Sequence, residues 1–252
     1  MTKLLWNLYA LCYDAITGLA PYQDMLDEVV CALGISPGMR VLDAGCGTGA
    51  LADRLATACP DIELLAVDLS PGMLRRARAR RIWPASFTFV EDNLDDVLAH
   101  DQRGFDRIAS VNVIWTLPDP QQTLARMASR LRQSGRMVHT TPRWRFRAYV
   151  VLWQHLRHQK GRALLRALFG LPRLLLAGVL NLLLVGQSVI LARAPRANQR
   201  WHEDGLVELL DEAGVPPRVV KSCYAGQGHL LVCEKERGSE TGPWLPVPAK
   251  DL

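Results

Sequence analysis

Asp43, Gly45, Gly47 and Gly49 stand at alternate positions, and a second carboxylate, Asp68, closes the apolar run Leu64-Leu65-Ala66-Val67. Arg40-Val41-Leu42 reads as a short buried strand, and Ala50 to Ala56 resumes at helical spacing. Glycines between a strand and a helix let the backbone turn sharply and bring a ligand close to a helix N-terminus. The spacing selects the ligand. A dinucleotide pyrophosphate calls for G-x-G-x-x-G, whereas here an acid precedes the first glycine. That acid repels a pyrophosphate and suits a ligand carrying an ammonium or a sulfonium. Asp68 arrives about twenty residues on, where a nucleotide ribose finds its acceptor.

The stretches around these residues extend the pattern, and together they resemble the class I S-adenosylmethionine-dependent methyltransferases. Asp43 to Gly49 is similar to the first motif of that superfamily. Asp68-Leu69-Ser70-Pro71-Gly72-Met73-Leu74 resembles its acidic strand end and the following helix start. Phe87 to Leu94 resembles the third strand, Phe105 to Pro120 the fourth strand with its substrate-side loop, and Gly135 to Thr140 the fifth. Gly205 to Val215 resembles the helix before two last strands, at Arg218 to Cys223 and His229 to Glu234. The resemblance covers residues 35–142 and 201–236.

It implies an α/β fold: a Rossmann-like, doubly wound, seven-stranded and mostly parallel sheet, with a helical basic and apolar insertion before the last two strands. The expected organisation is a helical cap at 1–34, a core at 35–142, the insertion at 143–200, the rest of the core at 201–236, and a disordered tail at 237–252. S-adenosyl-L-methionine is the implied cofactor. Its implied contacts are Asp43, Gly45, Gly47, Gly49, Asp68, Leu69, Met73, Asp92, Asn93 and Asn112. Asp68 would take the ribose hydroxyls, Met73 would pack near the adenine, and Asp92 would accept from the adenine amino group. The N-terminal run Tyr9 to Asp14 resembles a helix that closes over the cofactor, with Tyr9 or Tyr13 reaching the ligand.

A chain of 252 residues suits one α/β domain with an insertion. Its six cysteines have no C-x-x-C or zinc spacing and read as free thiols, and no metal is expected. No signal peptide is evident in the N-terminal stretch, where Asn7 and Asp14 interrupt the apolar run. The net charge of +5 conceals an asymmetry, because residues 120–202 hold fifteen Lys and Arg and no acid. A segment of that kind calls for an anionic partner.

Arg143-Trp144-Arg145-Phe146-Arg147 opens the insertion, and Phe146, Tyr149, Val150, Trp153 and Leu156 then share one helical face. Basic helices bearing Trp suit an anionic membrane interface. Leu174 to Ala192 is uncharged, and nineteen helical residues span roughly 28 Å, close to a bilayer core. A single crossing would separate the last strands from their own sheet, so the expectation is a shallow helix or a hairpin in one leaflet. The alternative is a buried lid over an apolar pocket.

An activated methyl leaves the protein mainly to align a nucleophile and exclude water. Where the nucleophile arrives protonated, Tyr13, Tyr22 and His139 are the candidate bases. Trp115 would offer a cation–π wall to a methylated amine. The expected function is a peripheral membrane methyltransferase on the cytoplasmic face, acting on a lipid. A phosphatidylethanolamine-type amine is the first candidate and a quinone or isoprenoid the next. The alternatives are a soluble methyltransferase of an apolar small molecule and a non-catalytic cofactor-binding regulator. Asn112-Val113-Ile114-Trp115 departs from the Asn/Asp-Pro-Pro-aromatic pattern of nucleic-acid amino-methyltransferases, so no nucleic-acid partner is expected.

Overall fold

Runs of Val, Leu and Ile without polar alternation form strands covered on both faces, and the strand around Asp43 is of this kind. The computed structural model describes residues 3–143, 146–158, 179 and 203–235. In it β1 (Arg40–Ala44) is buried at every position. It lies in a seven-stranded sheet with β2 (Glu63–Asp68), β3 (Phe87–Glu91), β4 (Phe105–Val111), β5 (Leu131–Pro142), β6 (Pro217–Cys223) and β7 (Gly228–Glu234). The order is β3-β2-β1-β4-β5-β7-β6. The first five strands run parallel, and β7 runs antiparallel to both β5 and β6. The expected sheet is thus found. Strand order reverses between β1 and β4, the switch point at which open α/β sheets bind ligands beyond their carboxyl ends.

Adjacent residues of a strand point to opposite faces, so the sheet builds two cores. On one side Val41, Ala109 and Val138 meet α2 (Ala20–Leu33) and α3 (Ala50–Ala58). On the other side Leu42, Ile108, Met137 and Leu231 meet α6 (Pro120–Arg130) and α8 (Glu203–Glu212). The start of β1 is locked by Arg40, whose buried guanidinium meets Glu63, Asp101 and the Gly104 carbonyl and lies over the Phe105 ring. Those charge-assisted contacts let a cation sit inside the fold.

Helix α1 (Lys3–Thr17) packs along α4 (Pro71–Ala79). It buries Tyr9, Ala10 and Cys12 against Met73 and turns Leu4, Leu8 and Leu11 to the surface, Leu4 and Leu11 about two-thirds exposed (67% and 64%). Helix α7 (Ala148–His158) begins the insertion and packs on α2 through Val151 and His155, whose Nδ1 accepts from the Ala20 amide at 3.0 Å. Its outward residues are Tyr149, Trp153 and Arg157, with the Arg157 guanidinium 3.6 Å from the Trp153 ring centre. Phe146, expected on that outer face, instead turns inward against Tyr224. Trp144, Arg145, all of Leu174 to Ala192 except Val179, and the tail at 237–252 lie outside the described residues. Among the described residues no helix is long and apolar enough to cross a membrane.

The fold also redistributes the charge. Arg126, Arg132 and Arg136 pair with Asp95, Asp106 and Glu234, and Arg130 donates to backbone carbonyls. The unbalanced part of the acid-free segment therefore begins at Arg143. From there to Arg200 the chain carries eleven Lys and Arg.

Candidate functional site

The turn after β1 is made by Gly45, Gly47 and Gly49, all in the left-handed region at φ of 75°, 55° and 76°. Other residues adopt that region only at a cost. Asp68 at the end of β2 holds the turn in place: one carboxylate oxygen accepts from the Gly47 amide and the other from the Ser70 amide, both at 2.8 Å. Ser70 then caps α4 by accepting from the Met73 amide. One acid thus joins the glycine turn to the next helix from the end of β2, and each of its oxygens has a further lone pair.

Gly45 is needed for close approach as well as for conformation, because a Cβ there would lie 2.4 Å from Val113 in the loop after β4. Gly45→Ala is expected to destabilise the fold by about 2–4 kcal/mol, combining left-handed strain and overpacking. An unchanged denaturation midpoint would refute this.

Asp43 is 1% exposed, and its Oδ2 has no hydrogen-bond partner. Burial first, and the charge of Asp68 second, push its carboxyl up to about 7. A buried carboxylate oxygen beside a glycine cradle is matched by a cationic group, which removes the cost of that burial. The lone pairs left on Asp68 are matched by a diol. Ammonium, ribose and sulfonium in one molecule describe S-adenosylmethionine, and the residues present fit it.

Helix α1 covers the turn. Tyr13 lies 3.4 Å from where a Gly47 Cβ would stand. Asn7 accepts from the Ser70 hydroxyl at 2.7 Å and the Gly72 amide at 2.9 Å, and Asp14 pairs with Arg76 and Arg80. Asn7 was not among the expected contacts; its signal was a polar residue interrupting an apolar run.

The other expected contacts are placed less uniformly. Leu69 is exposed at the strand end. Asp92 is exposed and accepts from the Asn93 amide at 2.7 Å, while the Asn93 side chain caps α5 (Leu94–His100). Met73 packs with Tyr9 and Cys12 beneath α1. Asn112 takes φ of 57°, and its amide donates to the Thr140 carbonyl at 2.9 Å.

The three candidate bases do not form one constellation, and none is poised to take a proton near neutrality. Tyr13 and Tyr22 meet hydroxyl to hydroxyl at 3.2 Å, and burial raises both phenols, so they stay protonated. His139 is fully buried and pushed down to about 3, which makes it a weak base. The pleat of β5 is the reason for its separation. It sets His139 two residues from Met137 and opposite Leu231, on the α6–α8 face, whereas Tyr22 belongs to the α2 face.

Residues 41–135 match a methyltransferase domain family. The chain is 32% identical over 107 residues to malonyl-[acyl-carrier protein] O-methyltransferase of Anoxybacillus flavithermus, covering 42% of this chain and 40% of that protein. It is 28% identical over 117 residues to ubiquinone biosynthesis O-methyltransferase of Xanthomonas campestris pv. campestris, covering 46% and 48%. It thus spans less than half the length of these curated relatives. Its fold is similar to that of magnesium protoporphyrin IX methyltransferase from Synechocystis PCC 6803 with bound S-adenosylmethionine: TM-score 0.53, 17% identity, covering 86% of this chain and 81% of that one. The acid-led glycine turn, the Asp68 clamp and the sheet order agree with these likenesses: residues 41–135 match a methyltransferase domain, on a fold similar to that of an S-adenosylmethionine-bound methyltransferase.

Proposed function

We propose that this protein transfers the methyl group of S-adenosylmethionine to a lipid or lipophilic acceptor, working from an anionic membrane surface on its cytoplasmic side. The observation that carries the reading is the outer face of α7. Tyr149 and Trp153 are more than half exposed at helical spacing, and Arg157 stacks on Trp153. Among the described residues, no carboxylate pairs with Arg143, Arg147 or Arg157. Exposed indole and phenol beside uncompensated arginines suit the headgroup region, where the ring meets acyl chains and the cation meets phosphate. The exposed Leu4, Leu8 and Leu11 of α1 supply a second apolar stripe. The name of one relative, ubiquinone biosynthesis O-methyltransferase, agrees with a lipophilic acceptor.

When bound, the cofactor supplies a methyl group already activated on sulfonium sulfur. The protein's tasks are then binding, alignment and exclusion of water. Asp68 and Asp43 hold the nucleoside and the charged end, and α1 closes the site with Tyr13 over the turn. The protonated Tyr13–Tyr22 pair donates hydrogen bonds and orients its neighbours.

Two measurements test the proposal. The protein should transfer radiolabel to a total lipid extract in preference to an aqueous metabolite extract, and should float with vesicles containing phosphatidylglycerol. Replacing Trp153 and Arg157 together by alanine is expected to weaken vesicle binding about tenfold, given about 1 kcal/mol for each basic residue near the surface and a further contribution from the indole. Equal flotation of the double variant, or label confined to the aqueous extract, would overturn the reading.

A further inference from the structure

Helix α4 runs out into five arginines within seven residues: Arg75, Arg76, Arg78, Arg80 and Arg81. Only two carboxylates answer them among the described residues. Asp53 pairs with Arg81, and Asp14 of α1 is shared between Arg76 and Arg80 at 2.9 and 2.8 Å. Arg78 donates to the Phe89 carbonyl, and Arg75 has no partner among the described residues. One carboxylate between two guanidiniums leaves Arg76 and Arg80 with a net positive charge.

These two arginines line an open cleft of about 370 Å³ between α4 and the turn joining α1 to α2, with Asp14, Thr17, Gly18 and Gln23 on the other walls. That is many times the roughly 30 Å³ occupied by one water. Arg80 is held from behind, its Nε donating to the Thr48 carbonyl at 2.9 Å and its Nη2 to the Thr48 hydroxyl at 3.2 Å. Arg76 Nη2 donates to the Leu11 carbonyl at 3.2 Å. With the bonds to Asp14, Arg76 engages two of its five N–H groups and Arg80 three, so half of their donors are left over. Guanidiniums fixed along one edge offer their other N–H groups as a fork that fits a tetrahedral oxyanion. Helix α2 begins beside Gly18 with no capping side chain and no acid in its first turn, which adds the positive end of its dipole.

The borders of the cleft are apolar and exposed. Leu11, whose carbonyl meets Arg76, is followed one turn back by Leu8, and Ile82 stands two residues beyond Arg80 with 97% of its surface exposed. We propose that this cleft binds a phosphate group through Arg76 and Arg80. An anionic lipid headgroup and free phosphate offer the same chemistry, and the aliphatic side chains around the arginines favour the headgroup. The site is distinct from the cofactor cradle and from the outer face of α7, so it stands or falls apart from the lipid-acceptor reading. Asp14 and the phosphate compete for the same donors, which gives the two residue types opposite effects.

The test is calorimetric titration of the full chain with inorganic phosphate at fixed ionic strength. Binding should be saturable. Arg76→Gln should weaken it about tenfold, the loss of one charge-assisted hydrogen bond, and Arg80 is left in place because it also holds the glycine turn. Asp14→Asn should strengthen it about threefold, the size expected of a part-exposed ion pair. General loosening of α1 would move both variants the same way, so shifts of one sign, or no saturable binding by the wild type, would overturn the proposal. Replacing Trp153 and Arg157 by alanine should leave phosphate affinity unchanged. Flotation with phosphatidylcholine vesicles, with and without phosphatidylglycerol, identifies the source. A headgroup ligand requires the same opposite shifts in flotation and competition by free phosphate. Flotation indifferent to both variants, with phosphate binding intact, would keep the site and overturn the headgroup as its source.

Discussion

Asp68→Ala is expected to weaken S-adenosylmethionine binding by more than a hundredfold, measured by calorimetry. The side chain has two functions, and alanine removes both. Its oxygens accept from the Gly47 and Ser70 amides, fixing the turn and the start of α4, and its remaining lone pairs are the acceptors for a ribose diol. Hydrogen bonds to a charged group contribute about 1.5–3 kcal/mol each, so losing two exceeds the roughly 2.7 kcal/mol that corresponds to a hundredfold. Asp68→Asn is the smaller change: it keeps one oxygen for a backbone amide and sets a donor against the other, so it should weaken both the turn and the affinity, each by less than alanine does. Unchanged affinity in either variant would remove Asp68 from the site.

Asp43→Asn is expected to move stability and cofactor affinity in opposite directions. In the folded protein the carboxyl is raised from 3.8 to about 7 by desolvation, with the charge of Asp68 adding to it. A folded pKa above the unfolded one favours the protonated form. That stabilisation is fully present below about pH 4 and is lost as the pH rises through 7. Above neutrality the ionised carboxylate then costs the free protein on the order of 4 kcal/mol. The Asn variant avoids this, so its advantage in Tm should be small at pH 4 and largest near pH 8. Affinity follows the opposite logic, because a cationic ligand selects the ionised form. Wild-type binding should weaken by up to tenfold per pH unit below about 7, whereas Asp43→Asn should bind weakly with little pH dependence. Parallel pH profiles for the two proteins would sink the assignment.

The glycine turn, Asp68 and the strands around them were legible because their requirements are local. A positive φ needs glycine, a strand followed by a helix needs a sharp turn, and an acid before the first glycine already sets the sign of the ligand's charge. The charge of the insertion was legible only in part. Arg126, Arg132 and Arg136 read as surplus cations, yet their acids come from β4, α5 and β7, elements that sequence distance conceals. The orientation of α1 was likewise hidden. Helical spacing groups Leu4, Leu8 and Leu11 on one side, but only packing against α4 turned Tyr9 and Cys12 inward and left the leucines outside.

His139 shows the division most plainly. Its place at the end of the fifth strand was readable, and so was its candidacy as a base. Its face, its neutral state and its company with Ser110 and Thr141 come from the pleat of β5 and the register of two neighbouring strands. The sequence alone determined the cofactor, because the cradle's residues act within one turn and one strand end. Tertiary structure decided the protonation of Asp43 and His139 and which side chains of α1 and α7 stay at the surface. Burial and charge proximity depend on neighbours that only folding brings together.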